Sequence, residues 1–144
     1  MKNRNLNHKD EWKTPPSFYK KLDDIYNFDF DPCPLTYDEI TDDNNGLLKD
    51  WGKRNFVNPP YSRKSKEKFV LKAIQESKKG KLCVMLLPVS TSTKLFHDHI
   101  LPNAKNIEFV RGRIGFIGIN QKCEKTTGKE KPMHDSMIVI FDGS

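Results

Sequence analysis

No run of about 18 consecutive apolar residues occurs anywhere in the chain, and without one a membrane-spanning helix is excluded. The opening residues, Met1-Lys2-Asn3-Arg4-Asn5-Leu6-Asn7, lack the apolar stretch of a secretory signal, so none is expected. Cysteine is scarce: Cys33, Cys83 and Cys123 are the only three. An odd count, wide spacing and the absence of a C-x-x-C pair argue against a disulfide framework and for a reducing, cytoplasmic setting. Adding His97, His99 and His134 does not produce the ligand spacing of a common zinc site, so no metal is expected. There is no internal repeat and no low-complexity tract.

What is present is a length of 144 residues, 35% of them hydrophobic, enough for a single core. The expected organisation is a frayed polar tail over residues 1–10 and one domain over 11–144. Lys and Arg number 25 against 19 acids, a formal net charge of +6. A basic surface favours a polyanionic partner, usually nucleic acid.

Periodicity gives the coarse layout. Thr14 is a good N-cap and Pro15 a good first helical residue. Phe18, Leu22 and Ile25 follow at helical spacing, which predicts a helix over 15–26 closed by Asn27. Residues 28–31 alternate as a short strand that Pro32-Cys33-Pro34 ends. The stretch 35–53 is polar and turn-rich, with Leu47, Leu48 and Trp51 expected to pack down. A strand over 54–57 is followed by a helix over 65–79, with Phe69, Val70, Ala73 and Ile74 inward and Gly80 past its end. Residues 82–87 are continuously apolar, as in a strand buried on both faces. A helix over 93–101 puts Leu95, Phe96 and Ile100 inward. A strand over 106–110, continued by 114–117, a lysine-bearing loop over 118–132 and a buried strand over 137–141 complete the order. Alternating strands and helices predict an α/β sandwich with a mostly parallel sheet and an antiparallel strand near the edge.

The stretch with the clearest chemistry is Asn58-Pro59-Pro60-Tyr61. It leaves the carboxyl end of a strand, where open α/β sheets collect their sites. Two prolines stiffen the turn and remove two donors. The Asn58 amide oxygen and the Pro59 carbonyl can both accept from one NH2 group, and Tyr61 offers a face for a planar ring. Two acceptors on a conjugated amine favour a pyramidal nitrogen and return its lone pair. The quartet reads as a site for alkylating the exocyclic amine of a base. Arg63 and Lys64 sit beside it, within a segment (63–81) carrying eight Lys or Arg against two Glu. Arg111 and Arg113 bracket Gly112, and Lys122, Lys125, Lys129 and Lys131 stud the late loop; these are the candidate nucleic-acid contacts. A base inside a duplex cannot reach such a pocket, so the target must be flipped or single-stranded.

Glu11-Trp12-Lys13-Thr14-Pro15, Asp31-Pro32-Cys33, Asn45-Gly46-Leu47 with Trp51, the quartet, Leu86-Leu87-Pro88, and Gly112-Arg113 before Phe116 occur in that order. In this the chain resembles the compact phage-type DNA N-6-adenine methyltransferases. The resemblance implies a trimmed Rossmann-like domain that methylates N6 of adenine in DNA from S-adenosylmethionine, in a bacterial or phage-infected cell. It implies that Trp12, Thr14 and Pro15 wall the cofactor pocket, that Asp31, with Pro32 and Cys33, faces the cofactor's amino-acid ammonium, and that Asn45 meets its adenine. One acid among Asp38, Glu39, Asp42 and Asp43 would hold the ribose. Two departures stand out. The turn 31–34 has no glycine where many methyltransferases do, and Asn45 replaces a frequent aspartate. A non-catalytic nucleic-acid-binding relative, or a methyltransferase for an RNA base or a glutamine amide, are the alternatives.

Overall fold

A computed structural model describes residues 12–33, 45–60, 62–114, 117–118 and 135–144. In chain order these form β1 (Trp12–Lys13), α1 (Pro16–Tyr26), β2 (Arg54–Val57), α2 (Arg63–Ser77), β3 (Leu82–Pro88), a π-helical segment (Leu95–Ile100) continued by α3 (Leu101–Asn103), β4 (Asn106–Phe109), β5 (Ile117–Gly118) and β6 (Ser136–Phe141).

The main sheet has the order β2-β3-β6-β4. β2 and β3 pair in parallel, whereas β6 is antiparallel to both β3 and β4. The expectation of a mostly parallel sheet is therefore corrected. One reversed strand lies between two co-directional ones, and this makes both of its pairings antiparallel. The residues expected as a strand over 28–31 make a single parallel bridge, Phe30 to Asn55, beside β2. Asp29 N donates to Arg54 O at 2.8 Å and Phe56 N to Phe30 O at 3.0 Å. Ile117 does not prolong β4; it pairs with Lys13 in a separate two-stranded ladder.

Side-chain alternation along β3 divides the core into two. Cys83, Met85 and Leu87 face α2 and the π-helical segment, where Phe69, Val70, Ala73, Ile74, Phe96 and Ile100 pack. Val84 and Leu86 face α1 with Phe56, Ile138 and Ile140. The result is a sheet covered on both faces, which is why β3 and β6 read as continuous apolar runs. Leu95, Phe96 and Ile100 turn inward as expected, although the helix is wound with five-residue bonds, Leu101 N to Phe96 O.

Several local expectations change. The N-cap of α1 is Pro15, whose carbonyl accepts from Phe18 N and Tyr19 N at 3.1 and 3.0 Å, and no side chain caps the helix. Asn27 closes it in the left-handed region (φ 52°), where asparagine is tolerated. Ile25 stays 65% exposed. Tyr19 and Tyr26 instead pack on Phe28 and Phe56, ring centroids 5.1–6.0 Å apart, and rotate the buried face of α1 away from Ile25. Leu48 is 62% exposed while Trp51 is buried. α2 ends at Ser77, and Gly80 N donates to Ser77 O at 3.0 Å with φ +91°, a conformation suited to glycine.

Candidate active site

Because β2, β3 and β4 point the same way, their carboxyl ends share one edge of the sheet. Asn58 follows β2 there, Asp31 follows the Phe30 bridge, and Arg111 and Arg113 follow β4. All four lie at this end of the sheet, Asp31 and Asn58 on its β2 side and Arg111 and Arg113 beyond β4 on the other.

Asn58 Nδ2 donates to Thr14 Oγ1 at 3.0 Å. Asn58 Oδ1 is buried, and so is Pro59, the residue that follows. The nitrogen end of the amide faces Thr14, so the oxygen end points the other way. Thr14, expected to cap α1, uses its hydroxyl on Asn58 instead. Tyr61 lies outside the described residues, as do Lys122, Lys125, Lys129, Lys131 and the four acids proposed for the ribose. For Trp12 only the backbone is described, paired with Gly118.

Asp31 Oδ1 accepts from Cys33 N at 2.8 Å and shapes the glycine-free turn. Burial pushes the Asp31 carboxyl up to about 6, although the Cys33 N–H pulls the other way. A desolvated carboxylate of this kind is stabilised by a bound cation. The missing glycine of the turn has a counterpart across from it. A Cβ on Gly46 would lie 2.2 Å from Pro32 O and 2.8 Å from Pro32 Cβ. Only glycine allows residues 45–47 to lie against the turn. The contact is fastened by Trp51 Nε1, which donates to Gly46 O at 2.8 Å. Asn45 Oδ1 accepts from Leu47 N at 2.9 Å. That hydrogen bond turns its amide oxygen toward the backbone of this small turn.

Sequence reasoning missed Glu76. Its side chain is fully buried (0% exposed). Oε1 accepts from Trp51 N at 3.1 Å and from Lys81 Nζ, and Oε2 from Lys72 Nζ at 2.9 Å and Lys79 Nζ at 3.1 Å. Burial raises its carboxyl, but hydrogen bonds from Lys81, then Lys72, Trp51 N and Lys79, outweigh that and hold it at about 2. Three of the lysines in the basic segment 63–81 are thereby committed to Glu76. The signal was an acid spaced at i−4, i+3 and i+5 from three lysines. Arg63 and Lys64 are exposed in the first turn of α2. Arg111 is exposed, and Arg113 Nε lies 3.6 Å from Asp135 Oδ1. Lys66, also missed, lines a small pocket with Pro88, Ser90 and Thr93 at this edge, and burial lowers its ammonium pKa.

The chain matches the family model described as DNA N-6-adenine-methyltransferase (Dam) over residues 2–143. It belongs to the DNA N-6-adenine-methyltransferase family. A DNA N-6-adenine-methyltransferase of Haemophilus phage HP1 is 37% identical over 150 aligned residues, covering 97% of this chain and 83% of that protein. Another from Escherichia phage T1 is 33% identical over 98 residues, 62% of this chain and 40% of its own length. No solved structure matches the chain. Membership places the Asn58-Pro59-Pro60 turn and Asp31 in a protein whose relatives are named for methylating an adenine amine.

The environment of Asp31 makes binding of a cationic ligand pH-dependent. A carboxyl near pH 6 is about one-tenth ionised at pH 5 and nine-tenths at pH 7. Affinity for a cationic ligand held at Asp31, measured by calorimetry, is expected to rise roughly tenfold over that interval. Asp31→Asn should bind such a ligand weakly and give a flat profile, and a flat wild-type profile would show that Asp31 holds no ligand charge. For the stability of the ligand-free protein the opposite trend is expected. The raised folded pKa gives stability that is complete below the ordinary value of 3.8 and is lost as pH rises through about 6.

Proposed function

We propose that this protein transfers a methyl group from S-adenosylmethionine to the N6 amine of adenine in DNA. The observation that carries the proposal is the Asn58 amide, held through its nitrogen by Thr14 at the carboxyl end of β2, with its oxygen buried and the stiff Pro59-Pro60 turn following it. Together with the family membership, this supports an acceptor site for an exocyclic amine rather than an ordinary proline turn.

The residues at hand fit the cofactor. Asp31 suits its ammonium, the Gly46–Pro32 contact brings residues 45–47 close to the same turn, and Asn45 keeps an NH2 for an adenine acceptor. When bound, the cofactor supplies an electrophilic methyl on a positive sulfonium. Asn58 Oδ1 and Pro59 O accept the two hydrogens of the target amine, which draws its nitrogen toward a pyramidal geometry with an available lone pair. Tyr61 stacks on the target base. No protein base is needed, because the amine's proton becomes acidic after attack and passes to water. The protein supplies position and acceptors. Arg63, Lys64, Arg111, Arg113, Lys122 and Lys125 supply phosphate contacts. The shared carboxyl edge, with a reversed strand between co-directional ones and helices on both faces, supports a trimmed Rossmann-like arrangement.

The test is transfer of labelled methyl from S-adenosylmethionine to DNA, RNA and protein in parallel, followed by nucleoside analysis. Label in N6-methyladenine from DNA is expected. Label confined to RNA or to glutamine would redirect the substrate assignment. Cofactor binding without transfer to any acceptor would favour the non-catalytic reading.

A further inference from the structure

We propose that Thr14 is a positioning residue for methyl transfer, acting through the amide of Asn58. The inference rests on the reading of Asn58 as the acceptor for the target amine.

A carboxamide has two ends of nearly equal shape and opposite hydrogen-bonding sense. If the nitrogen met the target amine, donors would face donors and the amine's lone pair would gain nothing. The productive orientation turns the oxygen to the amine and leaves the NH2 pointing back into the protein. There it must find an acceptor, because a buried donor without one is costly. Thr14 Oγ1 is that acceptor, 3.0 Å from Asn58 Nδ2. Thr14 itself is only 8% exposed, so water is a poor substitute.

The competing roles for this hydroxyl are weaker. Capping of α1 is excluded by the absence of any side-chain cap, with Pro15 as the N-cap. The hydroxyl is held in place from both directions. β1 pairs with β5 just before it, and Pro15-Pro16 follow it with restricted φ angles. A residue 44 positions from Asn58 in sequence thus accepts from the end of the amide that the reaction does not use.

The experiment compares Thr14→Val, which keeps the shape and removes the acceptor, with Thr14→Ser, which keeps the hydroxyl. kcat for N6-methyladenine formation, cofactor Kd and Tm are measured on the full chain. Thr14→Val should lower kcat roughly 10- to 100-fold, as expected when the group that orients an acceptor at the reacting centre is lost, with cofactor Kd within about twofold of wild type. Thr14→Ser should recover most of the rate, which a purely steric role would not predict. Thr14→Ala serves as the acceptor deletion if the valine variant does not fold. Wild-type kcat in the deletion variant would overturn the proposal. So would a loss confined to cofactor affinity, which would make Thr14 a wall of the cofactor pocket. Absence of transfer by the wild type on any nucleic acid would instead overturn the functional reading on which the proposal stands.

Discussion

Asn58→Ala is expected to lower the rate of N6-methyladenine formation by roughly 100- to 1,000-fold at saturating cofactor. This is the usual cost of deleting one preorganised polar group at a reacting centre. The substitution leaves Pro59 and Pro60 to shape the turn, so the target amine keeps only the Pro59 carbonyl and stays closer to planar. Tm and cofactor affinity should change little, because the Asp31 turn and the Gly46–Pro32 contact are untouched. Asn58→Asp is the sharper comparison. It retains an acceptor, and the Thr14 hydroxyl can donate to the carboxylate in place of accepting from the amide. It should therefore be more active than the alanine variant. Adenine methylated at the wild-type rate by Asn58→Ala would reduce the quartet to a turn.

Glu76→Ala should be the most destabilising single change among those considered. It removes a fully buried carboxylate that holds Lys72, Lys79, Lys81 and the Trp51 N–H. Removing one side of a buried ionic cluster typically costs roughly 3–5 kcal/mol. For a chain of this size that is a fall in Tm of roughly 10–15 °C. Part of the loss should appear in cofactor binding, since Trp51 also donates to Gly46 O and so holds residues 45–47 against Pro32. Glu76→Gln isolates the charge. With the folded pKa held at about 2 against an ordinary 4.5, ionised Glu76 contributes stability that is complete above pH 4.5 and fades toward pH 2. The gap in Tm between wild type and Glu76→Gln should accordingly narrow as pH falls through that window. An alanine variant that melts with the wild type would show that the lysines relax into solvent at no cost.

The candidate turn was legible because its proposed chemistry is local. The Asn58-Pro59-Pro60-Tyr61 turn combines acceptors, stiffness and a ring face within four residues, and it follows a strand whose apolar run is readable by itself. The buried strands β3 and β6 were legible for the same reason, since a strand covered on both faces must be apolar throughout. Gly80 and Asn27 announced the ends of α2 and α1 through their tolerance of positive φ.

Features that depend on a partner far away in sequence were not legible. Thr14 before two prolines looks like a cap, and its use on Asn58 depends on how the N-terminal segment crosses the end of β2. Glu76 looks like one acid on a lysine-rich solvated helix. Its burial depends on Trp51 and Lys81 arriving from either side. Gly46 looks like the end of a polar turn, and only its approach to Pro32 shows that no side chain fits there.

By itself, the sequence determined the two long helices, the buried strands, the proline turn after β2 and the family, because each is written in contiguous residues or in their ordered succession. Only the tertiary structure decided the mixed pairing of the sheet, the side of α1 that is buried, the commitment of three lysines to Glu76 and the partner of the Asn58 amide. Pairing partners, packing faces and burial are relations between distant segments, and the physical consequences of a hydroxyl, a carboxylate or a glycine follow from what the fold places within a few ångströms of it.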